Sequence, residues 1–170
     1  HHVRMAPSKN LVEFQLRMYA NLYFIIGLIE TELRLRIMIT LSDIAAEKGY
    51  SQWTEVVPHS LGNLRSIRRA FKQNRFNWDG VEESFTFSFW RHLFDGRNYT
   101  TLWIPGLYQV FPSLENPLSW KSFSQVGNHM ARANRIRNRI AHYNFHTSIE
   151  YENEKKVLIW LLNKMDWPKG

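Results

Sequence analysis

The sequence predicts an all-α fold, a compact bundle of four to five main helices with an irregular, aromatic-rich middle segment, and three observations carry that prediction. From about Leu11 to Glu47 the apolar residues recur with helical period. Ser119 and Thr147 stand at N-cap positions ahead of two later helical stretches. The one strand-like run, around Phe85 to Phe89, has no second run with which to pair. The chain has 170 residues, 44% of them hydrophobic and 15% aromatic, enough for one sizeable core and hardly for two. Residues 1–4, His-His-Val-Arg, read as the remnant of an expression tag. One helical domain is expected over 5–170.

In the first helix, Leu22, Ile26, Ile29, Leu33, Ile37, Leu41 and Ile44 form one stripe, and Glu30/Arg34 and Glu32/Arg36 stand at i,i+4 spacing elsewhere. Gly49 is a natural stop. The pattern fits one helix of more than thirty residues, or two with a bend near Gly27. His59-Ser60 opens a second, basic helix carrying Arg65, Arg68, Arg69, Lys72 and Arg75. A solvated face and a phosphate-contacting face both explain it. In the run Phe85, Phe87, Phe89 the alternation suits a strand, while Phe85, Phe89 and Leu93 suit a helix. A helix from about Ser88 is expected, for want of a partner strand. Gly96 to Pro117 is irregular, with Pro105, Gly106, Pro112 and Pro117, and its Trp103, Tyr108 and Phe111 are expected as core wedges. Ser119 caps a helix running to about Tyr143. Thr147 and Glu150 then form a capping box for a last helix, with Glu154, Leu158, Leu161 and Met165 on one side and Pro168 beyond its end.

Composition narrows the function. Against 15 acidic residues stand 22 basic ones, a formal net charge of +7, which favours an anionic partner, nucleic acid first and a membrane surface second. With no cysteine there is no disulfide framework, thiolate metal site or cysteine nucleophile. The most apolar run, Leu22 to Ile29, is too short to span a bilayer, and no signal peptide precedes it. The expectation is a cytoplasmic protein without a membrane partner.

The stretch that carries chemistry is ARANRIRNRIAHYN, residues 131 to 144. At about 100° per residue, Arg135, Asn138 and His142 fall on one face of a helix, and Ile136, Ile140 and Tyr143 fall nearly opposite. Arg137 flanks the polar face on one side and Arg139 on the other. Arginine neutralises a phosphate bidentately at any physiological pH. Histidine exchanges protons near neutrality. Asparagine orients a neighbour without titrating. Together they suit attack of an RNA 2′-hydroxyl on its adjacent phosphate, a scheme that requires no metal or other cofactor. A solvated basic face, with a histidine favoured at a helix C-terminus, explains the same residues. Arg137 and His142 stand about 140° apart around the helix, so one copy does not readily converge them. A two-fold dimer would.

Arg137-Asn138 followed by His142 matches the R-x4-H motif, usually R-N-x3-H, of HEPN domains, compact α-helical bundles of which many are metal-independent ribonucleases. Further along the chain, Ile29-Glu30-Thr31-Glu32-Leu33-Arg34-Leu35-Arg36 resembles the first-helix pattern of the Abi-like (abortive infection) branch. The blocks Phe89-Trp90-Arg91-His92-Leu93-Phe94 and Leu102-Trp103-Ile104-Pro105 are similar to its middle segment. The resemblance, in matching order, spans nearly the whole chain after Met5. It implies Arg137 and His142 as a catalytic pair helped by Asn138, RNA as substrate, a homodimer, and a toxin–antitoxin or phage-defence role with an antitoxin or defence-system partner. Arg132, Arg135, Arg139, Arg68, Arg69 and Lys72 are the expected RNA contacts. Glu30, Glu32 and Arg34 either reach the site or only pair along their own helix. In toxins silenced by a nucleotidyltransferase the motif continues R-x4-H-x-Tyr. Here Tyr143 comes one place early and Asn144 fills that slot. Many Abi-like members also follow the histidine with a second His and Glu-Pro, where this chain has Tyr143-Asn144-Phe145-His146.

Overall fold

The computed structural model describes residues 9–142 and 147–167. Residues 1–4, Tyr143 to His146 and Pro168, to which expectations attach above, lie outside them. Among the described residues five α-helices follow in order: α1 Lys9–Glu47, α2 Leu61–Gln73, α3 Phe87–His92, α4 Trp120–Ala141 and α5 Ser148–Lys164. There is no strand among the described residues. The fold class is therefore all-α, as the patterning requires.

α1 is a single helix of 39 residues, with no break at Gly27. All seven residues of its stripe, from Leu22 to Ile44, are buried. It ends where Gly49 takes a left-handed conformation, φ +73°, which a residue without Cβ adopts freely. There the Gly49 N–H donates to the Ala46 carbonyl at 3.0 Å and Tyr50 N–H to that of Ala45 at 2.9 Å, satisfying two terminal acceptors. Glu32 binds Arg36 along the helix. Glu30 and Arg34 form no such pair among the described residues.

α2 begins where the Ser60 hydroxyl accepts from Asn63 N–H at 3.1 Å. It stops at Gln73, so Arg75, expected inside it, lies past its end at φ +54°. α2 packs on the 3-10 turn Val81–Ser84. α3 starts at Phe87, capped by Thr86, one residue before the expected start. Phe85, Phe87, Phe89 and Trp90 are all buried, so the aromatic run is covered on every side, which explains why both periods fit it. The middle segment is a chain of short turns, including one π-helical turn at Tyr99–Trp103. Trp103 and Phe111 are fully buried in it and Tyr108 half-buried, as core wedges are.

α4 opens on Ser119, whose hydroxyl accepts from Ser122 N–H at 3.1 Å. α5 opens on the Thr147–Glu150 capping box. Leu158, Leu161 and Met165 are buried beneath it. α1 runs antiparallel to α4. Its residues Leu16 to Tyr23 line a cleft with Ile140 and Ala141, while Thr40 and Ile44 pack on Gly106, before α4 begins. α5 returns along both and ties back where the Tyr151 hydroxyl meets Asn21 Oδ1 at 3.1 Å. Among the described residues no helix is long and apolar enough to cross a membrane.

Candidate functional site

The site forms on the last two turns of α4. Ile136 and Ile140 are buried, so this end of the helix is anchored through the face the wheel assigned to the core. Arg135, Asn138 and His142 are exposed on the other side. His142 terminates the helix, its backbone N–H shared between the Asn138 and Arg139 carbonyls at 3.2 Å each. That shared bond holds the His142 backbone on the axis of α4 while its side chain stays exposed. Arg137 is exposed as well, on its own side of the helix. Between Arg137 and His142 around the wheel lie Asn134, Asn138 and Ala141.

Arg139 goes elsewhere. Its guanidinium reaches across the α4–α5 hairpin to Glu154 Oε1 at 3.2 Å and Glu150 Oε1 at 3.6 Å. Glu154 is half-buried, and burial raises its pKa, an effect opposed by the Arg139 charge. The same group of charges borders the buried Tyr19, whose pKa is also raised, chiefly by burial. Arg139, expected as an RNA contact, is thus half-buried and ion-paired in the hairpin. It braces the helix that carries Arg137 and His142.

The remaining expected contacts divide between two surfaces. Arg132 and Arg135 are exposed on α4 with the site residues. Arg68, Arg69 and Lys72 are exposed on α2, which packs on the Val81–Ser84 turn rather than on α4, so they form a separate basic surface. Glu30, Glu32 and Arg34 lie about two turns or more beyond Tyr23 along α1, away from the end of α4. Among the described residues no group of three or more His, Asp or Glu is placed to hold a metal.

Between the end of α4 and the start of α1 opens a cleft of about 370 Å³, lined by Leu16, Tyr19, Ala20, Tyr23, Ile140 and Ala141. Its rim is apolar and open: Tyr23 is 68% and Leu16 47% exposed, and Phe24, next to Tyr23 in the chain, is exposed as well. Sequence periodicity hid this feature, because Leu16, Tyr23 and Phe24 belong to the same apolar helix as the core stripe. Leu16 and Tyr23 fall on the flank of that stripe on the wheel and Phe24 opposite it, and that is the signal that marks them.

Comparison of the chain with protein-family models, with curated proteins and with solved structures returned no match.

Proposed function

We propose that this chain is a metal-independent endoribonuclease in which Arg137, Asn138 and His142 act on RNA as a homodimer. The observation that carries the reading is the exposed line Arg135–Asn138–His142 on a firmly packed helix, with Arg137 exposed around one flank and an open apolar cleft beside it. His142 takes the proton from the 2′-hydroxyl while water protonates the departing 5′-oxygen, or the two exchange these roles. As the 2′-oxygen bonds to phosphorus, the bond to the 5′-oxygen breaks, leaving a cyclic phosphate and a 5′-hydroxyl. Arg137 steadies the charge gathering on the phosphoryl oxygens, and Asn138 orients the groups it stands between.

The occupant of the cleft is a second copy of the chain. Arg137 and His142 diverge by about 140° on one helix, and the cleft borders the Arg137 flank, where Ile140 and Ala141 line it. A two-fold partner seated on Leu16, Ala20 and Tyr23 sets its own α4 end against this one, so the divergent groups of two copies meet. A toxin or phage-defence role, with a cognate inhibitor, rests on the resemblance of RNRIAH and the upstream blocks to the Abi-like HEPN branch.

The test is cleavage of end-labelled RNA in EDTA by the wild-type chain, His142→Ala and Arg137→Ala. Cleavage by the first that disappears in both variants supports the enzyme. Equal cleavage by all three identifies a contaminant and ends the proposal. Binding by all three without cleavage replaces it with a non-catalytic HEPN-like module that holds RNA or nucleotide.

A further inference from the structure

The polar face of α4 does not stop at Arg135. Reading back from His142, the positions Asn138, Arg135, Ala131, Asn128, Ser124 and Trp120 follow at steps of four and three. All fall within about 40° of one line along the helix. Their far end meets α3. There a second pocket, of about 180 Å³, is lined by Arg91 and Asp95 from one side and by Trp120, Ser124 and Asn128 from α4. One glycine makes the junction. A Cβ on Gly127 would stand 2.9 Å from the Phe94 carbonyl oxygen, so only glycine lets α4 approach α3 this closely. At Gly96 a Cβ would stand 3.5 Å from the Trp120 ring, an ordinary contact that shows how near the ring lies to this turn.

The chemistry of this pocket is that of a single-strand binder. Trp120 is 56% exposed, yet Tyr99 and Phe123 hold it at ring-centroid distances of 5.1 and 5.4 Å. A braced, exposed indole is a platform on which a base can stack. Asp95 gathers basic side chains around it: Arg91 at 3.3 Å, His92 at 2.8 Å and Arg97 at 3.9 Å. One carboxylate offsets only one of the two arginines, so the rim keeps positive charge for a phosphate. Asn128 and Ser124 supply donors and acceptors that read a base edge.

We infer that the α3–α4 junction is a second RNA subsite, where Trp120 stacks a nucleobase and Arg91 and Arg97 hold a neighbouring phosphate of the strand bound at His142. The inference rests on the RNA reading above and names how that substrate is gripped. From Trp120 to His142 the helix rises by about 33 Å, so the two ends engage nucleotides several positions apart, with Arg135 between them.

The experiment uses the full chain silenced by His142→Ala and a fluorescein-labelled single-stranded RNA 12-mer. Adding Trp120→Ala weakens binding about ten-fold, the worth of one lost stacking contact, and Trp120→Phe restores most of it. Arg97→Gln, at an exposed side chain, lowers the salt slope of binding by about one. A 12-mer carrying 4-thiouridine crosslinks at Trp120 when the peptides are mapped by mass spectrometry. Unchanged affinity in Trp120→Ala together with crosslinks confined to other regions overturns the subsite while leaving the cleavage proposal standing. Failure of the silenced chain to bind RNA at all overturns both.

Discussion

The same substitution, glycine to alanine, should have opposite effects at two positions of this molecule. Gly27 lies mid-way along α1, exposed, with nothing within 4 Å of where its Cβ would be. Alanine there gains helix propensity without a clash, about 0.5–1 kcal/mol. Gly127 lies mid-way along α4, where a Cβ would press to 2.9 Å from a backbone carbonyl oxygen of the segment after α3. The propensity gain is the same, but the carbonyl belongs to backbone and cannot swing aside as a side chain would. Forcing a methyl group into a packed contact costs about 1–3 kcal/mol, so the net effect is a loss of up to about 2 kcal/mol. A kilocalorie shifts the melting temperature of a chain this size by about 2–4 °C. Urea denaturation of dilute protein, followed by far-UV circular dichroism, should place Gly27→Ala above the parent and Gly127→Ala below it. Equal stabilisation by both would refute the close α3–α4 approach, and with it the placing of Arg91 and Asp95 beside the polar face of α4.

Other outcomes follow from the charges and the cleft. Arg139→Ala should cost about 2 kcal/mol in denaturant titrations, because Glu154 keeps its half-buried place and loses the Arg139 charge beside it, while Arg135→Ala should fall within about 0.5 kcal/mol of the parent. His129 stacks on Trp160 at 3.9 Å, and its pKa is lowered, chiefly by burial, with the Arg132 charge adding to the effect. The folded state therefore binds that proton less tightly than the unfolded state. Stability should fall as pH drops from about 6.5 towards the lowered value, and His129→Gln should flatten this slope in melting curves across that range. Tyr23→Glu should yield monomers by light scattering and abolish cleavage while leaving the helical spectrum intact; a dimer that persists removes the cleft as its interface. Mixing Arg137→Ala with His142→Ala chains should recover up to about a quarter of wild-type cleavage, since about half the dimers are mixed and each holds one complete pair. No recovery would mean that both groups act from one chain.

What could be read along the sequence was whatever lives within a few turns of helix. The stripe from Leu22 to Ile44, the caps at Ser60, Ser119 and Thr147, and the stop at Gly49 are local rules. Each stands where its residues placed it, with helix ends moved by one or two residues. The exposed line Arg135, Asn138 and His142 is local too. What escaped the sequence depends on partners distant in the chain. Arg139 reads as one more basic side chain until the hairpin folds Glu154 against it. Gly127 reads as a weak point in a helix until the Phe94 carbonyl arrives beside it. Trp120 reads as a first-turn residue behind its cap, and only the pocket formed with α3 marks it as a surface for a ligand. A wheel orders the residues of one helix but says nothing of what the next helix brings.

The central claim is that this chain cleaves RNA through its own 2′-hydroxyl, with Arg137 and His142 and no metal. Its most direct test is to digest a defined RNA in EDTA and identify the new ends by mass spectrometry. A 2′,3′-cyclic phosphate paired with a 5′-hydroxyl, absent when a single 2′-deoxy residue occupies the cut site, is the predicted result. A 3′-hydroxyl with a 5′-phosphate, produced only when a divalent cation is supplied, would contradict it.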